Sequence, residues 1–463
     1  MVRAQPPRTP FVREGAETPY TEHQMQLARL SAVAIAVALA IGCRSDLAGP
    51  SAKSPSSAPR RSAADGIPTQ ADADAISANI VKVHLPYGTM ADPGFVTSEP
   101  TSPDYYTVST YNRTGDAATW TGHWLAAEAF RYALTGSAEA LSNVQRATNG
   151  IQSLVDVTSP AAKDLLARSW LPQDSPYLPK IQTDEGHNGL HASTYAGQSV
   201  YWIGSTSRDE YSGVFFGLAV AYDMVPDQPL RDQISALVTR MLGNLLAHSW
   251  NVVMPNGSIS TTFTGRTEQQ LTLLQIGRHV NPAKYTTTYQ NFRSNNSGST
   301  GTAISIDCFD TYKSYYKFNL DYINLFNLIR LEEPTSTYRS RYVSAYSTLR
   351  RCTGTHQNAH FNMIDRSING ANATRDADTQ RFLGQWLQRS RRAPYTDVSS
   401  KYAVCGTNRA CSPVPVPDRP NTDFLWQRSP LLLYGGGDTT VETAGIDYVL
   451  PYWMARYYQV LAS

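Results

Sequence analysis

What the chain lacks narrows its function before any motif is considered. Lys and Arg total 40 against 38 Asp and Glu, and basic residues gather only in short pairs such as Arg391-Arg392. The electrostatic footprint of a nucleic-acid binder is therefore missing. No apolar run reaches the roughly 20 residues that a membrane-spanning helix needs; Leu30–Gly42 has thirteen apolar or small residues and stops there. Cysteine is scarce, with five in 463 residues and none in a CxxC or Cys/His spacing, which removes the usual zinc sites. Aromatic residues are not scarce: 27 Tyr and 8 Trp accompany a 41% hydrophobic content. That composition supports a sizeable core, and it also suits a surface that stacks on sugar rings or other flat ligands.

The N-terminus reads as an export signal. Leu30–Gly42 follows Arg29 and is too short to span a bilayer, but it fits the apolar region of a signal peptide. Ala40-Ile41-Gly42 before Cys43 resembles the processing site of bacterial lipoproteins, with Leu39 one place out of register, so Cys43 is the expected lipidation site. Residues 1–24 make a poor leader, and Met25 is a plausible true start. Residues 1–43 are thus taken as signal, 44–70 as a Ser/Pro/Ala tether, and 71–463 as one domain. The expected location is the cell envelope, lipid-anchored or exported, with membrane contact only through the anchor. The remaining cysteines fit two disulfides in an oxidising compartment. Cys405–Cys411 closes most easily across a short polar loop, leaving Cys308–Cys352.

From Gly115 onward one pattern recurs. A helix apolar nearly all round is followed by a tight turn and a helix apolar on one face. Turns fall at Thr135-Gly136-Ser137, Pro226-Asp227, Asn281-Pro282 and Glu333-Pro334. First helices are expected near Thr121, Ser212, Thr267, Asn319, Asp376 and Ala444, with long connections over 158–206, 250–266, 292–318, 353–375 and 391–443. A further partial helix falls near 71–84. Antiparallel pairs standing around a ring would place the tight turns on one rim and the long connections on the other. The expected fold is therefore all-α, an (α/α)6-type toroid of helical hairpins, with an open solenoid as the structural alternative.

WTGHWLAAEAFRYALTG resembles the inner-helix segments of (α/α)6-barrel glycosidases and polysaccharide lyases, and GIDYVLPYWMARYYQ resembles the closing helix of such toroids. The resemblance implies an oligo- or polysaccharide bound across the loop-bearing rim of a monomer. It carries no family's catalytic signature with it.

The chemistry concentrates in TDEGHNGLHASTYAGQSVYWIGSTSRDEYSG, residues 183–213, read as one long loop without helical or strand period. Glycoside hydrolysis needs two carboxyl groups flanking the scissile bond. One residue from Asp184/Glu185 and one from Asp209/Glu210 are the expected pair, although carboxylates ahead of a helix are also ordinary caps. His187, Arg208, Tyr211, Trp202, His360, Asp365, Arg366, Trp426 and Arg428 are the expected substrate contacts. Proton abstraction from a uronate would instead use His187, Asn188, Tyr211, His360 or Arg366. A non-catalytic glycan-binding lipoprotein is the third reading, and an epimerase a fourth. No cofactor or metal is expected. Glycines disfavour a helix through His187 and His191, and calcium held by Asp438, Glu442 and Asp447 is the weaker alternative to a Gly-rich turn. His123 is expected as a core histidine.

Overall fold

The computed structural model describes residues 66–462. The signal segment, Met25, Cys43 and most of the tether lie outside the described residues. Helix α1 (Gln70–Val83) opens with a complete capping box, in which Thr69 and Asp72 satisfy each other's backbone N–H groups. Strands β1 (Asp92–Phe95) and β2 (Val108–Asn112) follow. Helices α2 (Ala117–Thr135) and α3 (Ala138–Asp156) come next, separated by Gly136 in the left-handed region at φ 61° and by the Ser137 cap. Beyond them lie β3 (Trp170–Pro172), α4 (Leu178–Glu185), β4 (Leu190–Tyr195) and β5 (Gln198–Ile203). Helices α5 (Arg208–Met224) and α6 (Gln228–Ala247) then precede the hairpin β6 (Asn251–Val253) and β7 (Ile259–Thr262). The chain continues through α7 (Thr267–Val280), α8 (Pro282–Asn296), α9 (Thr300–Asp307), α10 (Tyr316–Arg330) and α11 (Thr337–Thr353). It ends with α12 (Ala359–Asn369), α13 (Ala373–Trp386) and α14 (Ile446–Tyr457).

The helices that are buried nearly all round pack on one another in sequence. α2 lies on α5, α5 on α7, α7 on α10, α10 on α12 and α12 on α14, and α14 returns to α2. Behind each stands an amphipathic partner: α3, α6, α8, α11 and α13 follow their own first helix, while α1 backs α14. The division follows from the side chains. Residues 117–131 of α2 are all buried, whereas α3 buries only a stripe that includes Val144, Ala147, Ile151 and Leu154. One continuous hydrophobic cluster joins all of these helices. Both disulfides form as expected, Cys308–Cys352 and Cys405–Cys411.

Three expectations are corrected. The protein is not all-α: 54% is helical and 12% is strand, in small sheets carried by the long connections. Residues 183–213 are not one irregular loop. They hold the end of α4, a hairpin pairing β4 with β5 in the register His191 opposite Trp202, and the start of α5. The strand period was masked because Ser, Thr, Ala and Tyr alternate there and only one face is covered. Finally, the fifth first helix is α12 rather than a helix beginning near Asp376. Only eleven residues long, it is capped by Asn358 and stopped by Gly370 at φ 80°, and it buries Phe361, Met363 and Ile364. His360, Asn362, Asp365 and Arg366 therefore sit on a helix and not in a loop.

Candidate functional site

A closely packed helix pair builds the site. α2 and α5 lie side by side with their first turns together, and glycine makes the approach possible. A Cβ on Gly122 would stand 2.1 Å from the Gly213 carbonyl oxygen, and one on Gly217 would stand 2.2 Å from the Gly122 oxygen. A Cβ on Gly213 would meet Thr119 Oγ1 at 2.3 Å. This packing brings Asp116, which precedes α2, beside Asp209 and Glu210 in the first turn of α5. One carboxylate oxygen from each of the three lies within 4.8 Å of the others.

The three acids are not equivalent. Glu210 is fully buried and spent: its Oε2 accepts the Thr119 backbone N–H at 2.9 Å, and its Oε1 accepts from Arg168 Nη1 at 3.2 Å. Burial pushes its carboxyl well above the usual range, while Arg168 pulls against that shift. Arg168 is itself fixed by donation to the Gly115 carbonyl at 2.8 Å, the Ser205 carbonyl at 3.0 Å and Ser207 Oγ at 2.9 Å. It places fixed positive charge 3.2 Å from Glu210 Oε1 and 3.9 Å from Asp116 Oδ1.

Asp116 and Asp209 keep solvent access. Asp116 is 28% exposed and accepts from Gln427 Nε2 at 3.0 Å, and Gln427 in turn accepts from Trp120 Nε1 at 3.1 Å. Its carboxyl is pushed up to about 7, first by burial and then by the neighbouring charges of Asp209 and Asp423. Asp209 accepts a hydrogen bond from the Ser207 hydroxyl. Two adjoining carboxyl groups therefore stand in different environments, as an acid and a base require.

The expected pairs are resolved residue by residue. Asp209 joins the cluster. Glu185 adjoins it: its Oε2 accepts from Asn188 at 2.8 Å and would lie 2.5 Å from a Cβ on Gly115. Asp184 does not; it pairs with Lys180 one turn back along α4. Adjacent residues on a helix point about 100° apart, so the two could not both face the site.

Several expected contacts are occupied elsewhere. Trp202 is 1% exposed with His191 stacked on it at 4.2 Å, and Trp426 is 3% exposed with His123 stacked on it at 4.4 Å. Neither indole offers a free face to a sugar. Tyr211 is buried and its hydroxyl accepts the Leu166 N–H. Asp365 is buried among Tyr346, Arg350 and Arg375, and Arg366 pairs with Asp376 and the Tyr458 carbonyl. His360 is buried beside His123, and burial holds it well below the ordinary imidazole value. Arg208 donates to the Thr262 carbonyl. His187 is exposed, and Arg428 reaches solvent while pairing with Asp423.

Among the described residues, the only group spaced to hold a metal ion is Asp116, Asp209 and Glu210. The trio weighed for calcium is dispersed. Asp438 binds Thr440, Glu442 meets Asn79, His84 and Arg391, and Asp447 accepts the Leu425 N–H.

No family model, curated protein or solved structure matches this chain. The site itself therefore carries the functional reading. Asp116, Arg168 and Gln427 are the functional candidates that sequence reasoning missed. For Asp116 a signal existed: Thr-Gly-Asp stands immediately ahead of a first helix, as Asp209 stands in the first turn of another. Arg168 and Gln427 carry no comparable mark.

Proposed function

We propose that this chain is an exported glycoside hydrolase in which Asp116 and Asp209 form the catalytic pair. The cyclic helix packing fits an (α/α)6 toroid, with the pair at the first-helix N-termini on the rim that carries the long connections. The observation that carries the reading is two solvent-accessible carboxyl groups, oxygens within 4.8 Å, one of them raised to about 7. Asp116 protonates the glycosidic oxygen as the bond to the anomeric carbon breaks, and Asp209 attacks that carbon. Water, deprotonated by Asp116, then releases the sugar and restores both groups. The short separation favours this double displacement, since inverting enzymes keep roughly 6.5–9.5 Å open for a water between their carboxyl groups. Glu210 and Arg168 are positioning residues that lock the two helix ends.

For uronate elimination only His187 among the expected bases stays exposed, since His360 and Tyr211 are buried and cannot reach a substrate. The two disulfides fit an oxidising compartment, and lipid attachment at Cys43 is part of this proposal. The test is a polysaccharide panel read for new reducing ends and for ultraviolet-absorbing unsaturated products. Asp116→Asn and Asp209→Asn should each abolish release of reducing ends with melting intact. Full turnover in both variants, an unsaturated product, or retention of glycan without change would overturn the assignment.

A further inference from the structure

A pocket with none of the acidic cluster in its walls lies between α3 and the β3–β5–β4 sheet and has a volume of about 450 Å³. One side is aromatic. Trp170 stands between Tyr87 and Tyr195, with ring centroids 5.7 and 5.1 Å away. Its indole is held by donation from Nε1 to Ser153 Oγ at 2.8 Å. All three rings are half-buried, so each is anchored while part of it faces the opening. The other side is a polar stripe on α3. Ser142, Gln145, Arg146 and Asn149 are exposed, line the pocket and follow the three- and four-residue spacing of one helix face. Among the described residues, Ser142, Gln145 and Arg146 have no side-chain hydrogen-bond partner. Close glycine contact fastens the two sides together, since a Cβ on Gly150 would stand 2.2 Å from the Gly88 carbonyl oxygen.

We propose that this pocket is a saccharide-binding site distinct from Asp116 and Asp209. A pyranose is amphipathic in the same sense as the pocket, with axial C–H groups on its faces and hydroxyls around its edge. The C–H face packs on the rings, while Gln145 and Ser142 exchange hydrogen bonds with the hydroxyls and Asn149, whose Oδ1 accepts from Gln233 Nε2 at 2.9 Å, donates its Nδ2 to them. Anchored aromatics beside a few convergent polar groups, in a shallow and open groove, suit a ligand that lies along the surface, as a chain of sugars does. Arg146 adds a donor fork that matches a uronate carboxylate. A site of this kind holds a polymer to the enzyme without taking part in bond cleavage.

The test uses the full chain carrying Asp209→Asn, so that binding is measured without turnover. Cellohexaose, xylohexaose and oligogalacturonate are titrated while tryptophan emission and saturation-transfer NMR are recorded. The two neutral probes and the acidic one separate hydroxyl recognition from recognition by Arg146. At least one should bind. Gln145→Ala combined with Arg146→Ala, two exposed changes, should weaken that binding about tenfold or more, as expected for losing two hydrogen bonds. Trp170→Ala should weaken it as well, and Trp170→Phe should restore part of it. Failure of all three saccharides to bind, or binding indifferent to the substitutions at 145, 146 and 170, would overturn the inference. If Asp209→Asn retained full turnover while the pocket still bound sugar, the catalytic assignment would fall and this one would stand.

Discussion

Gly213→Ala puts a methyl group where α2 and α5 touch. At the Cβ position Thr119 Oγ1 would be 2.3 Å away, Thr119 Cα 2.7 Å and the Thr119 oxygen 2.8 Å. Two of these atoms belong to the backbone, so turning a side chain cannot relieve the clash and the helices must separate by about 1 Å to restore ordinary contact. Overpacking of this kind costs about 1–3 kcal/mol. The larger consequence falls on the site, because Asp209 lies one helical turn from Gly213, and Thr119 begins the turn that follows Asp116. A displacement of about 1 Å between catalytic groups can cost on the order of 100-fold in rate. Gly301→Ala, in the first turn of α9, is the control: its Cβ would meet Ala345 of α11 at an ordinary 3.6 Å, so it should be close to neutral. Melting by circular dichroism and release of reducing ends from the polysaccharide panel are measured for both variants. A Gly213→Ala protein with the stability and turnover of the parent would refute the helix contact and the site built on it.

Other outcomes are equally concrete. On the proposed mechanism, loss of the general acid in Asp116→Asn should lower turnover about 10²–10⁴-fold, and a change smaller than tenfold would remove Asp116 from that role. Turnover should fall as pH rises through about 7, the value to which Asp116 is pushed, because the leaving oxygen needs its proton. The same raised value makes the Asp116 contribution to stability fully present below 3.8 and lost as pH rises through about 7. Asp116→Asn should therefore flatten the melting profile across that window, and an unchanged slope would contradict it. Arg168→Ala leaves Glu210 buried without its partner and should cost about 3–5 kcal/mol in denaturant unfolding. Arg168→Lys should not recover this, having no fork to reach Gly115, Ser205 and Ser207 together; full recovery by lysine would reduce Arg168 to a point charge. The Cys308–Cys352 bridge spans 44 residues against 6 for Cys405–Cys411. On loop entropy alone, replacing the first with serines should cost about 4 kcal/mol and the second about 2, an order that calorimetry of the two double variants checks.

Much of the scaffold was legible because it rests on local physics. Gly136, Asp227, Asn281 and Ser336 end or begin helices through their own backbone preferences and side-chain caps, and each of the four turns lies where the sequence put it. α12 was missed because eleven residues give too few turns for a clear period. The β4–β5 hairpin was missed because a strand covered on one face by a few neighbours leaves little alternation to read.

The site divides along the same line. By itself the sequence determined that carboxylates stand ahead of the first helices, that pairs of helices recur, and that four cysteines remain to pair beyond Cys43. Only the tertiary structure decided which carboxylates meet. Asp209 faces Asp116 and not Asp184, because Gly122, Gly213 and Gly217 let two remote helices close on each other, and that depth of approach depends on atoms from both. It also decided that Trp202 and Trp426 are covered while Trp170 is presented. A tryptophan's availability is set by what packs on its face, and residues distant in the chain supply that.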